Sequence, residues 1–184
     1  MNRRQISSIK SRCWGACIAT LICLAASAAK AEEDPTSAES TSPDWLSWHD
    51  YETRNQLWIN PGMASYHFQT EKGYNNGNWG FGAEYRFANV ASLTAGRFYN
   101  SDRAYSNYAG VYWQPIGIGP FNIGLVAGGF NGYPQTNNGG WFAAALPAIT
   151  YEGKWVGGNL FIIPTIGDRV HGALSLQLKL KVFD

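Results

Sequence analysis

Three short stretches of the sequence carry residues that can do acid–base or nucleophilic chemistry. His67 ends an alternating apolar segment, Asn100, Ser101 and Asp102 are consecutive, and a third set occupies residues 168–171. A histidine that takes the proton of a serine hydroxyl, oriented by a carboxylate or an amide, is a combination suited to acyl transfer. Serine and aspartate are also common turn residues, and a single histidine is usually an ordinary surface group. The chemistry therefore depends on whether the fold brings these stretches together.

The elements that would position these residues are strands, because apolar and polar residues alternate from Pro61 onward. The clearest runs are residues 79–87 and 174–182. Such alternation predicts strands with one apolar and one polar face. No helical pattern separates the runs, which favours an antiparallel sheet joined by hairpins. We predict eight strands, at about 62–70, 78–87, 90–100, 104–114, 120–131, 140–151, 154–165 and 170–183.

Which face points inward decides the class of protein. A soluble sandwich or lipocalin buries its apolar face, whereas an outer-membrane barrel turns it outward and uses strands of about 10 residues. The polar face carries charges of both signs, as a narrow filled interior requires: Glu84, Arg86, Lys179 and Lys181. Aromatic residues at the strand ends would form girdles at the membrane interfaces: Trp79, Phe87, Phe98, Trp113, Trp141, Trp155 and Phe183.

The predicted fold class is therefore all-β, an eight-stranded antiparallel outer-membrane β-barrel with a short N-terminal amphipathic helix. A soluble periplasmic β-protein is the alternative. Residues 59–184 would form the transmembrane barrel. Eight strands enclose an interior that side chains just fill, or that holds one small ligand. A general diffusion pore is thereby disfavoured, which leaves a structural barrel or an enzyme that acts on lipid.

Residues 1–31 have the pattern of a secretory signal peptide, with a basic start, an apolar middle and an Ala-Lys-Ala cleavage site. All three cysteines lie within it, so the mature chain would carry no disulfide and no thiol. Cleavage would remove five of the 14 basic residues and none of the 13 acidic ones, which changes the formal charge from +1 to −4. With no basic stripe, nucleic-acid binding is not expected.

Residues 32–43 are polar, acidic and proline-punctuated, which predicts a disordered lead. Ser42 as N-cap and Pro43 at the first helical position then predict a helix over 44–58. Its aromatic residues would share one face: Trp45, Trp48, Tyr51 and Trp58. That face would lie either against a bilayer or against the protein's own surface.

The loop lengths predict which residues meet at one end of the barrel. If both chain ends face the periplasm, the longer connections face outside, as is usual in such barrels. These outer connections are residues 71–77, 100–103, 132–139 and 166–169. The first strand, which ends near His67, neighbours the last strand once the barrel closes. His67, Ser101 and the acidic residues are therefore expected at one rim, where His171 also lies.

Several pieces of the chain, taken in order, resemble the lipid A palmitoyltransferase family. Residues 98–103 leading into 108–113 resemble the end of its third strand and its fourth strand, and 64–68 its histidine-bearing first strand. Further short matches are residues 79–82, 146–148 and 163–164. The similarity spans about residues 44–183. That family is an eight-stranded outer-membrane barrel preceded by an amphipathic helix, and it moves an acyl chain from a glycerophospholipid to lipid A.

The resemblance implies an outer-membrane acyltransferase with His67 as base or proton shuttle and Ser101 as hydroxyl partner. The family's aspartate before that serine falls on Asn100, so Asn100 or Asp102 would orient the histidine, or Asn100 would stabilise an oxyanion. Glycerophospholipid, lipid A and the outer-membrane bilayer are the implied partners of a monomer, with no cofactor and no metal. The alternatives are a lipid A deacylase and a non-catalytic barrel for envelope stability, adhesion or transport.

Four further residues concern the path of the lipid. Pro147 and Pro164 lie in neighbouring predicted strands, where each removes a ladder hydrogen bond unless it sits at a strand end or bulge. In the family, matching prolines form a lateral gate for lipid. Pro61 resembles one side of a second gate, whose other proline is replaced near Asn78. Tyr112 stands where a glycine can form the floor of the family's acyl pocket, which predicts a chain shorter than palmitate or a floor built elsewhere.

Overall fold

A computed structural model describes Pro43 and residues 45–167 and 170–184. The predicted signal peptide over 1–31 and, apart from Pro43, the predicted lead over 32–43 lie outside the described residues. Within the described part of the chain, no helix is long and apolar enough to cross a membrane.

The chain folds into a closed barrel of eight antiparallel strands with one short strand outside it. Strand β1 (Leu46–Trp48) pairs only with β5, whereas β2 pairs with both β3 and β9 and so closes the barrel. The barrel strands are β2 Thr53–His67, β3 Gly77–Ala88, β4 Ala91–Tyr99, β5 Tyr105–Ile118, β6 Phe121–Phe130, β7 Phe142–Glu152, β8 Val156–Ile163 and β9 Ala173–Phe183. The eight predicted strands are thus confirmed.

The predicted helix over 44–58 is wrong for the described residues of that segment, which are extended. Leu46–Trp48 forms β1, and Thr53 already begins β2. Register explains the difference. Residues 53–60 pair with residues 82–88 of β3, and residues 57–59 also pair with residues 180–183 of β9. A helix here would leave those backbone groups without ladder partners on an apolar wall, which is costly.

The outer wall is apolar and the interior is polar. Along β9, Leu178 is 57% exposed whereas Lys179 beside it is 1% exposed. The same alternation continues around the barrel. Outward-facing apolar residues include Trp79, Phe81, Tyr85, Leu93, Val111, Trp113, Leu125, Tyr151, Leu174, Leu176 and Leu180. Phe98, predicted in an interfacial girdle, is instead buried. An eight-stranded barrel with this polarity fits a protein of the outer membrane.

The two ends of the barrel differ in their connections. Of the described residues, the loop end carries 68–76, 100–104, 131–141, 164–167 and 170–172, and the turn end carries 89–90, 119–120 and 153–155. Toward the turn end a polar plug fills the interior. Its charged members are Glu84, Arg86, Glu152 and Lys179, and its neutral members are Ser92, Gln114, Thr150, Asn159 and Gln177.

Charges within the polar plug compensate each other. The Lys179 ammonium donates to both Glu84 carboxylate oxygens at 2.9 Å and to Glu152 at 2.6 Å. Arg86 donates to Glu152 at 2.8 Å, and the Lys179 ammonium lies 4.9 Å from the ring centre of Trp58. Burying an ion pair is costly unless each charge is paired and hydrogen-bonded. Two acids and two bases meet that condition. They confirm the predicted pairing of unlike charges for Glu84, Arg86 and Lys179, whereas Lys181 pairs with the exposed Asp184 at 3.2 Å instead.

Above the polar plug, the side of the interior formed by β5–β8 is apolar, whereas Asn78 and Ser175 are buried on the side of β3 and β9. Tyr112, Val126, Ala148 and Phe161 form one buried cluster, with Leu146 and Ile163 packed against it. The Tyr112 ring stacks on Phe161 at 6.2 Å, and its hydroxyl accepts a hydrogen bond from Asn159 at 3.2 Å. Tyr112 therefore forms the boundary between the polar plug and the apolar upper interior.

Candidate active site

The loop end brings His67 and Ser101 into direct contact. His67 is the last residue of β2 and is largely buried, and Ser101 lies in the turn between β4 and β5. The His67 Nε2 atom lies 2.9 Å from the Ser101 hydroxyl oxygen. The two residues are 34 positions apart, and the register of β2 and β4 against the intervening β3 brings them together. The predicted His67–Ser101 proximity is therefore present.

Asn76 orients the His67 imidazole, and this role of Asn76 was not predicted from the sequence. Its side-chain oxygen lies 2.8 Å from His67 Nδ1. An amide oxygen can only accept, so Nδ1 carries the proton and Nε2 is free to accept the Ser101 proton. The result is a hydrogen-bonded Ser101–His67–Asn76 chain. The only sequence signal was the Asn76-Gly77 turn pair, since β2 and β3 form a hairpin that returns this turn beside His67.

Asn100 does not contact His67 but builds the turn that presents Ser101. Its side-chain nitrogen donates to Ser106 at 2.9 Å and to the Gly132 carbonyl at 2.8 Å. Its side-chain oxygen accepts from the backbone N–H groups of Asp102 and Ala104, both at 2.9 Å. All four bonds keep the amide away from the imidazole. The expectation that Asn100 orients His67 or an oxyanion is therefore not met in this geometry.

Asp102 interacts electrostatically with His67 and His171 and forms no hydrogen bond to either imidazole. Burial raises the pKa of its carboxyl, while His67 and His171 act in the opposite direction. Tyr74 lies between the two imidazoles, with ring centres 4.8 Å from His67 and 5.6 Å from His171. The described part of the loop end thus brings His67, His171, Tyr74 and Asp102 near Ser101. Residues 168 and 169, predicted for the same rim, lie outside the described residues.

An open depression of about 340 Å³ adjoins Ser101. It is lined by residues of three connections: Lys72, Gly73, Tyr74, Ser101, Asp102, Arg103, Pro134 and Gln135. The serine hydroxyl is thus reachable from outside the barrel, while the imidazole behind it is largely shielded. Such an arrangement suits a nucleophile that acts on a substrate arriving at the rim.

The barrel wall is interrupted between β7 and β8. Their ladder runs from the Glu152–Gly157 pair to the Ala148–Phe161 pair and stops there. Pro147 lies within β7, immediately before Ala148 in the sequence. Pro164 is the first residue after the end of β8. Toward the loop end, residues 142–147 of β7 pair with β6 but not with β8. We call this interval the β7–β8 gap.

The β7–β8 gap opens beside the apolar upper interior. Leu146 and Ile163 border it and pack against the cluster that contains Tyr112 and Phe161. Because a proline has no N–H to donate, Pro147 and Pro164 each lower the cost of leaving the wall unpaired here. Both prolines lie on the exposed outer surface. The predicted position of a weakened wall is therefore where the ladder stops.

Pro61 does not open a comparable interval toward β3. The β2–β3 ladder shifts register around Pro61 and then continues with the Met63–Asn78 pair. Asn78 is buried, and it accepts a hydrogen bond from Ser65 at 2.6 Å and donates to the Tyr99 carbonyl at 3.0 Å. Where the resemblance implied a second gate, this structure has a bulge. Asn78 keeps the backbone N–H that a proline would lack.

Among the described residues, no group of three or more histidine, aspartate or glutamate side chains is arranged to hold a metal ion. Comparison of the sequence with models of known protein families gives no match, and comparison with curated proteins also gives none.

Proposed function

We propose that this protein is an outer-membrane acyltransferase that moves an acyl chain from a glycerophospholipid to lipid A. The observation that carries the proposal is the Ser101–His67–Asn76 chain at the loop end of a barrel with an apolar outer wall. A hydroxyl nucleophile bonded to an oriented imidazole is the arrangement that activates serine for acyl chemistry. An apolar wall below this site supports a position at the height of the outer leaflet.

The residues divide the reaction into two acyl transfers, first to Ser101 and then to lipid A. His67 Nε2 takes the Ser101 proton while Oγ attacks the ester carbon of a phospholipid, and the imidazolium then protonates the departing glycerol oxygen. The acyl chain is now esterified to Ser101. A lipid A hydroxyl attacks that ester, gives its proton to His67, and Ser101 recovers a proton as it leaves. Asn76 holds the imidazole in the required tautomer through both steps.

The β7–β8 gap supports lipid as the substrate class. A hydrocarbon chain that enters through it meets Leu146, Ile163 and the ring of Phe161. Farther in, Tyr112 limits the depth, because below it the polar plug begins. Tyr112 as pocket floor favours a chain shorter than palmitate. Pro147 and Pro164 would serve as the gate for entry.

The test is mass spectrometry of lipid A from a Gram-negative host that expresses the full chain. A gain of about one acyl chain supports transfer, and no change supports a non-catalytic barrel. Ser101→Ala and His67→Ala must abolish the gain while the variants still fold in the outer membrane. The same fractionation shows whether the protein reaches that membrane.

A lipid A deacylase is the second candidate, and one observation favours it. The depression at Ser101 is open to solvent, so water can reach an acyl-serine there. Water would then replace the lipid A hydroxyl in the second step, and lipid A itself would be the acyl donor. Loss of one acyl chain from lipid A, with release of free fatty acid, distinguishes hydrolysis from transfer.

A further inference from the structure

Two cationic side chains in the described lining of the depression beside Ser101 have no part in the proposed acid–base chemistry. Lys72 lines it from the β2–β3 loop and Arg103 from the β4–β5 turn. Among the described residues of the lining, Asp102 is the one carboxylate, and its charge interacts with the imidazoles of His67 and His171. Lys72 and Arg103 are thus placed to meet an anionic group of a substrate.

Arg103 has a backbone conformation that is unusual for a residue with a long side chain. Its φ is +59°, in the left-handed region that favours glycine. The turn requires this conformation, since the Asn100 N–H donates to the Ala104 carbonyl and the Arg103 N–H to the Asn100 carbonyl. Arginine therefore occupies a position where glycine would fit with less strain. Strain of this kind is often found at functional sites.

The Arg103 side chain reaches from its own turn to the neighbouring loop. Its Nη2 atom donates to the Gly73 carbonyl at 2.9 Å. That bond directs the guanidinium along the lining of the depression, where Lys72 also contributes. The remaining guanidinium N–H groups form the planar donor set that matches two oxygens of a phosphate.

We propose that this depression is a subsite for the phosphate of a glycerophospholipid headgroup, held by Arg103 and Lys72. The inference rests on the proposed acyl transfer and names the part of the donor that binds beside Ser101. In a glycerophospholipid only a few bonds separate the phosphate from the acyl ester. A phosphate bound in the depression therefore keeps the ester within reach of the Ser101 hydroxyl.

The experiment uses the full mature chain in uncharged detergent micelles, with short-chain phosphatidylglycerol as the probe. Arg103→Gly suits the left-handed turn, so the fold is retained while the guanidinium is lost. We expect its dissociation constant for the phospholipid to rise about tenfold, because a hydrogen bond to a charged group is removed. Lys72→Gln is expected to weaken binding less, since lysine acts as a point charge. Arg103→Lys should recover part of the affinity.

Lys154→Gln is the matched control, because Lys154 is an exposed lysine at the opposite, turn end. Its affinity for the probe should equal that of the unaltered protein. In transfer assays, Arg103→Gly should raise KM for the phospholipid donor and change kcat little. A structural defect would instead lower the amount of folded protein.

Two results would overturn the subsite. Unchanged phospholipid affinity in both Arg103→Gly and Lys72→Gln is the first. Equal affinity for inorganic phosphate and for the phospholipid is the second, since it would identify a general anion site instead of a headgroup site. If the unaltered protein transfers no acyl chain, the proposed function fails, but the binding titration still decides whether the phosphate subsite exists.

Discussion

The polar plug and the loop end use similar residue types for opposite purposes. In the polar plug, Glu84 receives two hydrogen bonds from Lys179 and one each from Ser92 and Asn159. At the loop end, the Asp102 carboxylate interacts with His67 and His171 through charge and has no hydrogen-bond partner among the described residues, and Ser101 borders an open depression. Charges that satisfy one another stabilise the barrel. Groups left accessible beside a histidine can react with something that arrives from outside.

The wall of the barrel shows the same division. Around the polar plug, β7 and β8 are paired from Glu152 to Ala148. Beyond Pro147 they separate, next to the apolar upper interior. Two neighbouring strands without ladder hydrogen bonds weaken the wall locally. That cost is tolerated where the gap between them could admit a substrate. Five predictions test this contrast, from the largest expected effect to the smallest.

Ser101→Ala should reduce acyl transfer by about 1,000-fold or more, because the nucleophile is lost. The unfolding free energy should fall by about 0.5–1.5 kcal/mol, because the hydrogen bond to the largely buried His67 is lost. Lipid A mass spectrometry gives the activity, and urea unfolding followed by tryptophan fluorescence gives the stability. Ser47→Ala, an exposed serine in β1, is the control for both measurements. Activity that survives in Ser101→Ala would remove Ser101 from the mechanism.

Glu84→Gln should lower the unfolding free energy by about 3–5 kcal/mol, because it leaves Lys179 and Arg86 buried with one carboxylate fewer. Activity per folded molecule should change little. Glu52→Gln is the matched control, since Glu52 pairs with Arg54 on the surface and should cost less than about 1 kcal/mol. Equal costs for the two substitutions would mean that the polar plug does not stabilise the barrel.

Asn76→Ala should lower kcat about tenfold or more by releasing the His67 ring, which loses a hydrogen bond to its charged form. KM should change less than kcat. Asn76→Asp keeps an acceptor and adds a negative charge, so it should restore activity and shift the pH profile of kcat/KM to higher pH. A loss in Asn76→Asp as deep as in Asn76→Ala would contradict the orienting role.

Tyr112→Gly should lengthen the acyl chain transferred, because the ring that closes the apolar upper interior is removed. Tyr112→Phe removes only the hydroxyl that accepts from Asn159, so the chain length should stay the same. Mass spectrometry of the product lipid A distinguishes these cases. An unchanged acyl length in Tyr112→Gly would place the pocket floor elsewhere.

Asp102→Asn should stabilise the protein slightly at pH 7. Burial raises the pKa of Asp102 in the folded state, so its ionised form costs stability at pH values above that folded pKa. This cost disappears as the pH falls below the unfolded value of about 3.9. The difference between the two proteins in denaturant midpoint should therefore fade toward pH 3. A difference that does not depend on pH would point to packing instead of ionisation.

The sequence predicted the strands correctly where their residues alternate between apolar and polar. Alternation placed the barrel strands within a few residues, except for the start of β2. There, residues 53–60 do not alternate, and Trp58 continues the helical spacing of the aromatic residues in 45–51. Only pairing with β3 and β9 makes that segment extended. Local patterns contain no information about partners so distant in the chain.

The sequence by itself determined the apolar and polar faces and three charges of the polar plug, Glu84, Arg86 and Lys179, because each follows from residue type at a spacing of two. Tertiary structure alone decided that Asn76 and not Asn100 meets His67, and that the β7–β8 ladder ends at Ala148. Those outcomes depend on register between strands, and a shift of one residue would reverse which side chains face inward.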